Sequence, residues 1–311
     1  MSNQNIIFDH KQVSQKIDSV FQQTNERVDN QLIELTEANH ILKKQNESIH
    51  KAQEIVNSSL RYGRIIQNSI NASNEQVANL FSDSFTFYCP QNFIGGDLIW
   101  TERCKLGKII AVVDCMGHGV PGAMLAMSVY HFLNSTLLEN RFESVTDFLC
   151  NVSEAYYKSF FDSNKGEDFA DTFDISLCVV DEKSQIIRYR GIKRPLLIVR
   201  NHKLIELKGD RVSVADENAV QIIKNKPWDS VWPYKKGDQI YLFTDGFQDQ
   251  FGGKKNKKYK YANFKTFLQS ISSQPNSIQY NMIVDELYKW KNTNECVYEQ
   301  TDDIAVVGIT L

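Results

Sequence analysis

From Val28 onward an apolar or small residue returns at every seventh position: Val28, Leu35, Leu42, Ile49, Val56, Gly63 and Ile70. A repeat of 3.5 residues sustained over several heptads predicts a long helix carrying a coiled-coil seam. If that seam is d, the a positions are Leu32, Asn39, Asn46, Gln53, Leu60 and Gln67. Asn at a lowers stability but favours a parallel dimer in one register, so a homodimer through residues 28–70 is expected. A single amphipathic helix lying on its own domain satisfies the same pattern. Because the seam is half polar, its packing changes at modest cost, which suits a helix that transmits a signal.

The pattern changes after Phe81. FTFYCPQNF (85–93), DLIWTERC (97–104) and GKIIAVVD (107–114) read as strands, with a turn at Lys105-Leu106-Gly107. Further strands are expected at 173–181, 185–190, 196–200, 239–244 and 303–310, and helices at 121–139, 144–161, 262–273 and 278–291. Strands in runs, with helices grouped in pairs, favour an α+β layered domain over alternating βαβ units. The chain is expected to divide into a helical stalk, 1–75, and a globular domain, 76–311. The lysine-rich run 254–260 reads as a solvated loop.

Composition narrows the function classes. The 311 residues carry a net charge of -3, which argues against wholesale nucleic-acid binding. No apolar run approaches the ~18 residues of a membrane span, and the N-terminus lacks the basic-then-apolar order of a signal peptide. The six cysteines lack CxxC spacing and read as reduced core thiols. A cytoplasmic location is expected.

Several acids share one setting, an apolar strand beside an Asp that neighbours glycine or another acid. They are Asp97 in GGD, Asp114 in VVDCMGHG, Asp245 in LFTDG, and the pair Asp302-Asp303 in TDDIAVV. A hairpin turning at 105–107 places Asp114 opposite Leu98, beside Asp97. Two carboxylates so close repel unless a cation lies between them, and Asp-rich sites without His or Cys clusters suit Mg²⁺ or Mn²⁺. Taken singly, each Asp also fits a strand end or turn.

GGD at 95–97, DCMGHGVPGA at 114–123, TDG at 244–246 and TDD at 301–303 resemble, in order and context, the SpoIIE/RsbU-type serine/threonine phosphatases, a bacterial branch of the PPM (PP2C-like) enzymes. The likeness runs from about Ile65 to the C-terminus, with RIIQNSI similar to the short helix preceding the catalytic domain. It implies an αββα sandwich, here preceded by the coiled-coil helix, with two divalent cations, Mn²⁺ or Mg²⁺, at one edge. Carried onto this sequence, Asp114 bridges both metals and the Cys115 backbone carbonyl ligates the second. Asp245 and Asp302 complete the first, Asp97 serves the second, Asp174 is a possible extra acid, and Asp303 is a neighbour more than a ligand. The implied reaction is attack of a metal-activated water on phosphoserine or phosphothreonine, with a phosphorylated protein as partner, STAS/anti-anti-sigma-like in the typical case. His118 stands four residues after Asp114 where PP2C enzymes have a histidine at two, so a general-acid role competes with that of a residue capping the helix from 121. No arginine before Asp97 matches the phosphate-gripping one of eukaryotic relatives. RGIKRPLL departs from the usual small-residue turn. A dimeric scaffold of weak activity and a small-molecule phosphohydrolase remain the alternatives.

Overall fold

The computed structural model describes residues 10–162, 171–216, 218–225, 229–293 and 296–311. Its compact units are Met1–Ser59 and Leu60–Leu311. The helix α1 (His10–Ile70) supplies the first unit and the opening turns of the second. Within the first unit Val28, Leu35, Leu42, Ile49 and Val56 are all more than half exposed, so the heptad seam is an exposed stripe as far as Val56; in the second unit Gly63 and Ile70 are half-buried and Gln67 is buried. Among the described residues no helix is long and apolar enough to cross a membrane.

The second unit is built on two five-stranded antiparallel sheets. One runs β1 (Ser84–Cys89), β12 (Ile304–Thr310), β9 (Gln239–Phe243), β6 (Leu196–Arg200) and β7 (Lys203–Leu207). The other runs β2 (Asp97–Cys104), β3 (Gly107–Cys115), β4 (Phe173–Asp181), β5 (Ile186–Ile192) and β8 (Ser230–Pro233). The unbroken IIAVV run of β3 follows from burial on both faces, which removes the polar half of the usual alternation. Ile110 and Val112 point between the sheets, where they meet Ile198, Leu242 and Val307. Ile109, Ala111 and Val113 point outward onto α3 (Gly119–Glu139) and α4 (Val145–Tyr157), through Leu125, Val129 and Phe148. On the far side α7 (Tyr261–Ile271) and α8 (Asn276–Lys291) cover the first sheet with Phe264, Leu268 and Ile283. Each such aliphatic side chain contributes about 1.5–3 kcal/mol by leaving water. The layers are therefore αββα, as expected.

Smaller elements fill the connections: α2 (Asn74–Leu80), α5 (Ala219–Lys224), α6 (Gly246–Asp249), and the hairpin of β10 (Phe251–Gly252) with β11 (Lys257–Lys258). The lysine run expected as a loop forms this hairpin; Lys254 to Lys258 are exposed, whereas Tyr259 is buried. β7 and β8 were not anticipated. Asn201 and His202, at φ 48° and 60°, form the two-residue turn with both central φ positive that joins β6 to β7. The β2–β3 register is also corrected. Cys104 pairs with Gly107, so the turn is Lys105-Leu106 alone, and Asp114 faces Asp97 directly rather than Leu98. The six cysteines are free, with Cys115, Cys150 and Cys178 buried.

Candidate functional site

The corrected register puts three acids in one row across the second sheet: Asp97 pairs with Asp114, and Asp114 with Asp174. The first sheet contributes from the same edge. Thr244, just past β9, donates its hydroxyl to Asp97 Oδ2 at 2.7 Å, and Asp245 follows it. Asp302 and Asp303 stand just before β12, where the Asp302 carboxylate accepts the Asp303 amide at 2.9 Å.

The loop backbone is compressed against this edge. A Cβ at Gly96 would lie 2.7 Å from the Cys115 carbonyl oxygen and 2.8 Å from that of Gly117. One at Gly122 would lie 2.2 Å from the Gly117 oxygen, so α3 begins against the GGD loop only because both positions are bare. The Cys115 carbonyl thus sits beside Asp97. Its thiol is buried and pushed well above the ordinary range, so it stays protonated and takes no part as a nucleophile. His118 is exposed at the start of α3 and makes no capping hydrogen bond, which removes the capping role. Its charge lies near enough to Asp303 to lower that carboxyl's pKa.

A residue that sequence reasoning missed holds the cluster together. Arg194, in the crossover from β5 to β6, places Nη2 2.8 Å from Asp114 Oδ2, 3.1 Å from Asp174 Oδ2 and 2.6 Å from Asp245 Oδ2. Lys193 Nζ reaches Asp174 Oδ1 at 3.0 Å. Burial opposes the Arg194 charge, but the three carboxylates together raise its pKa above the ordinary value. The available signal was a lone pair of cations before Pro195, in the one stretch that departs from the familiar turn.

The acids differ in how their charge is met. Burial pushes the Asp114 carboxyl up to about 8; Arg194 holds it down, while Asp245, Asp302 and Asp174 add to the rise. Burial, then the facing Asp114, carries Asp97 well above the carboxylate range. Asp302 is raised by burial against the Asp303 amide bond. Asp303 is also raised by burial, while the Gln91 and Gly96 amides, donating at 2.7 and 2.6 Å, oppose the rise.

Among the described residues no three acids, histidines or cysteines stand ready as a ligand set. Three carboxylates close instead on one guanidinium nitrogen, a stand-in for a cation, while burial first, and neighbouring acids second, raise the pKa values of Asp97, Asp114 and Asp302. An all-carboxylate and carbonyl donor set of this kind fits a hard divalent cation.

Residues 107–311 match the sequence profile of the family described as Stage II sporulation protein E (SpoIIE). The chain belongs to the SpoIIE family. Among solved structures, the PP2C domain of SiaA from Pseudomonas aeruginosa is 26% identical with a TM-score of 0.73, over 84% of this chain and 98% of that one. The PP2C phosphatase domain of SpoIIE from Bacillus subtilis, solved with a fragment of its regulatory domain, is 15% identical with a TM-score of 0.55, over 73% and 62%. The RsbU and RsbW domains of a Mycobacterium tuberculosis protein are 17% identical with a TM-score of 0.55, over 73% and 59%. Among curated proteins no sequence match was found. The fold of this SpoIIE-family chain is therefore that of PP2C-type phosphatases, and the acidic edge is its outstanding chemical feature.

The last turns of α1 bear on that edge directly. Gln67, buried, donates Nε2 to the Gly95 carbonyl at 2.5 Å and accepts the Gly95 amide at 3.1 Å. Asn71 Oδ1 accepts the Ile99 amide at 2.8 Å. The GGD loop is thus held by side chains at the end of the helix.

Proposed function

We propose that this protein is a metal-dependent phosphoprotein phosphatase acting on phosphoserine or phosphothreonine. The observation that carries the reading is the convergence of Asp114, Asp174 and Asp245, from both sheets, on a single cationic nitrogen within 3.1 Å. Asp114, Asp245 and Asp302, with Asp174 adjacent, would hold one divalent cation; Asp114, Asp97 and the Cys115 carbonyl would hold a second. Such cations, Mn²⁺ or Mg²⁺, supply an acidified water and positive charge against the phosphoryl oxygens.

The chain's own residues do the rest. Thr244 fixes the Asp97 carboxylate through its hydroxyl, so the second site is oriented before loading. Asp303 is occupied by two backbone amides, which supports a role as neighbour rather than ligand. Arg194, now on Asp114, Asp174 and Asp245, would be released by cations held there, and its planar fork of donors suits a phosphate. His118, exposed beside Asp303, is the candidate donor of a proton to the departing serine or threonine oxygen.

The exposed seam from Val28 to Val56 supports a parallel homodimer through that part of α1, whereas Gln67, buried in its own unit, is withdrawn from the expected 28–70 interface; the Gln67–Gly95 clasp supports the helix end as the point where that stalk regulates the site. A STAS-type phosphoprotein in bacterial partner switching is the substrate class this family reading implies, with a cytoplasmic setting.

The test is hydrolysis of p-nitrophenyl phosphate and of a phosphoserine protein, with Mn²⁺ and with EDTA, by wild type and Asp114→Asn. Turnover confined to wild type with Mn²⁺ is expected; turnover that survives chelation sinks the mechanism, and none on either substrate points to a scaffold. Sedimentation tests the stalk separately: a monomeric full chain, unaltered by deleting residues 1–59, contradicts the dimer.

A further inference from the structure

A cavity of about 440 Å³ opens next to the carboxylate cluster, with Arg194 as the wall between them. Its other charged walls are Lys193, Lys208 and Arg211 against a single acid, Glu206. That acid is already paired, since Lys265 Nζ lies 2.9 Å from Glu206 Oε2. Lys193 and Arg194 are committed to the cluster acids. Lys208 and Arg211 are exposed, and among the described residues neither makes an ion pair. In a chain of net charge -3, such a basic cavity is a local exception.

Arg194 and Gln248, two of its lining residues, each carry one sealed polar atom without a hydrogen-bond partner, Nε and Oε1. The groups that the cavity offers an incoming chain are instead the ammonium of Lys208 and the guanidinium of Arg211, and the carboxylate of an acidic side chain is their natural complement.

Resting on the phosphatase reading above, we infer that this cavity is a substrate subsite for an acidic residue flanking the phosphorylated serine or threonine. With the phosphate at the Asp114 edge, each further residue extends about 3.3–3.6 Å, so an Asp or Glu within a few positions falls over Lys208 and Arg211. The enzyme would thus choose phosphosites in acidic segments, and the choice would weaken with salt, as for exposed charges.

The experiment compares three substrates with Mn²⁺: a phosphothreonine peptide flanked by Glu, the same peptide with Gln in place of Glu, and p-nitrophenyl phosphate. The enzymes are wild type and Lys208→Ala/Arg211→Ala, with thermal unfolding as a check on folding. Wild type is expected to favour the Glu peptide about tenfold in kcat/KM at low salt, with the advantage shrinking at high salt. The double variant is expected to lose that advantage through KM, with kcat and p-nitrophenyl phosphate turnover unchanged. Equal rates on the two peptides, or a preference that survives the double substitution, overturns the subsite while leaving the phosphatase intact. Absence of p-nitrophenyl phosphate turnover by wild type overturns the phosphatase reading and the subsite with it.

Discussion

Asp303, buried, and Asp114, half-buried, are aspartates at strand ends on the same edge, yet the fold treats them in opposite ways. Asp303 is met by backbone: the amides of Gln91 and Gly96 donate to its two oxygens at 2.7 and 2.6 Å. Asp114 is met by a side-chain charge, the guanidinium of Arg194, which it shares with Asp174 and Asp245. A carboxylate held by amides is a structural joint, because those donors cannot leave without the loop. One held by a side-chain cation can exchange that cation for another.

The largest expected effect separates the two through metal. Arg194→Ala leaves three acids without their cation, and breaking a buried pair costs about 3 kcal/mol. Urea unfolding in EDTA should show that loss, and saturating Mn²⁺ should erase most of it. Asp303→Ala strands two buried amides at about 1–3 kcal/mol each, so a loss near ~2 kcal/mol is expected, the same with and without Mn²⁺. If the Asp303 loss is metal-dependent and the Arg194 loss is not, the contrast is backwards.

A smaller effect follows from pH. Asp114 titrates at about 8 in the folded chain against 3.8 as its ordinary value, and burial also raises Asp97, Asp302 and Asp303. The groups facing Asp114 are Asp97, Arg194, Asp174, Asp245 and Asp302; His118 bears on Asp303. The folded state therefore holds protons that the unfolded chain releases, and this stability is complete below the ordinary value and lost as pH rises through the folded one. Metal-free protein should lose several degrees in Tm between about pH 5 and pH 8, and Mn²⁺ should flatten the slope by favouring the charged carboxylates. A metal-free Tm that climbs over this range contradicts the assignment of protons to the cluster.

The same two residues show what was legible in the chain. Both acids were visible because each ends or begins an apolar run, and buried strands announce themselves by composition. The register was off by one because a two-residue turn at Lys105-Leu106 and a three-residue turn look alike until the pairing of Cys104 with Gly107 decides between them. The partners were hidden for a different reason. The amides that satisfy Asp303 come from 212 and 207 residues away, and the guanidinium beside Asp245 from 51, so local pattern carries no trace of them. β7 escaped because its turn, Asn201-His202, lacks the glycine that usually marks a positive φ. The long helix α1, by contrast, was legible, since its apolar period needs no distant partner to declare itself.

The most direct test of the account is calorimetric titration of Mn²⁺ into the EDTA-stripped full chain, wild type beside Asp114→Asn, with p-nitrophenyl phosphate turnover read on the same samples. The account predicts saturable binding by wild type that rises in step with turnover, and loss of both in Asp114→Asn, turnover by at least about a hundredfold. Wild-type protein that binds no Mn²⁺, or Asp114→Asn that binds it and turns over substrate as wild type does, would contradict it.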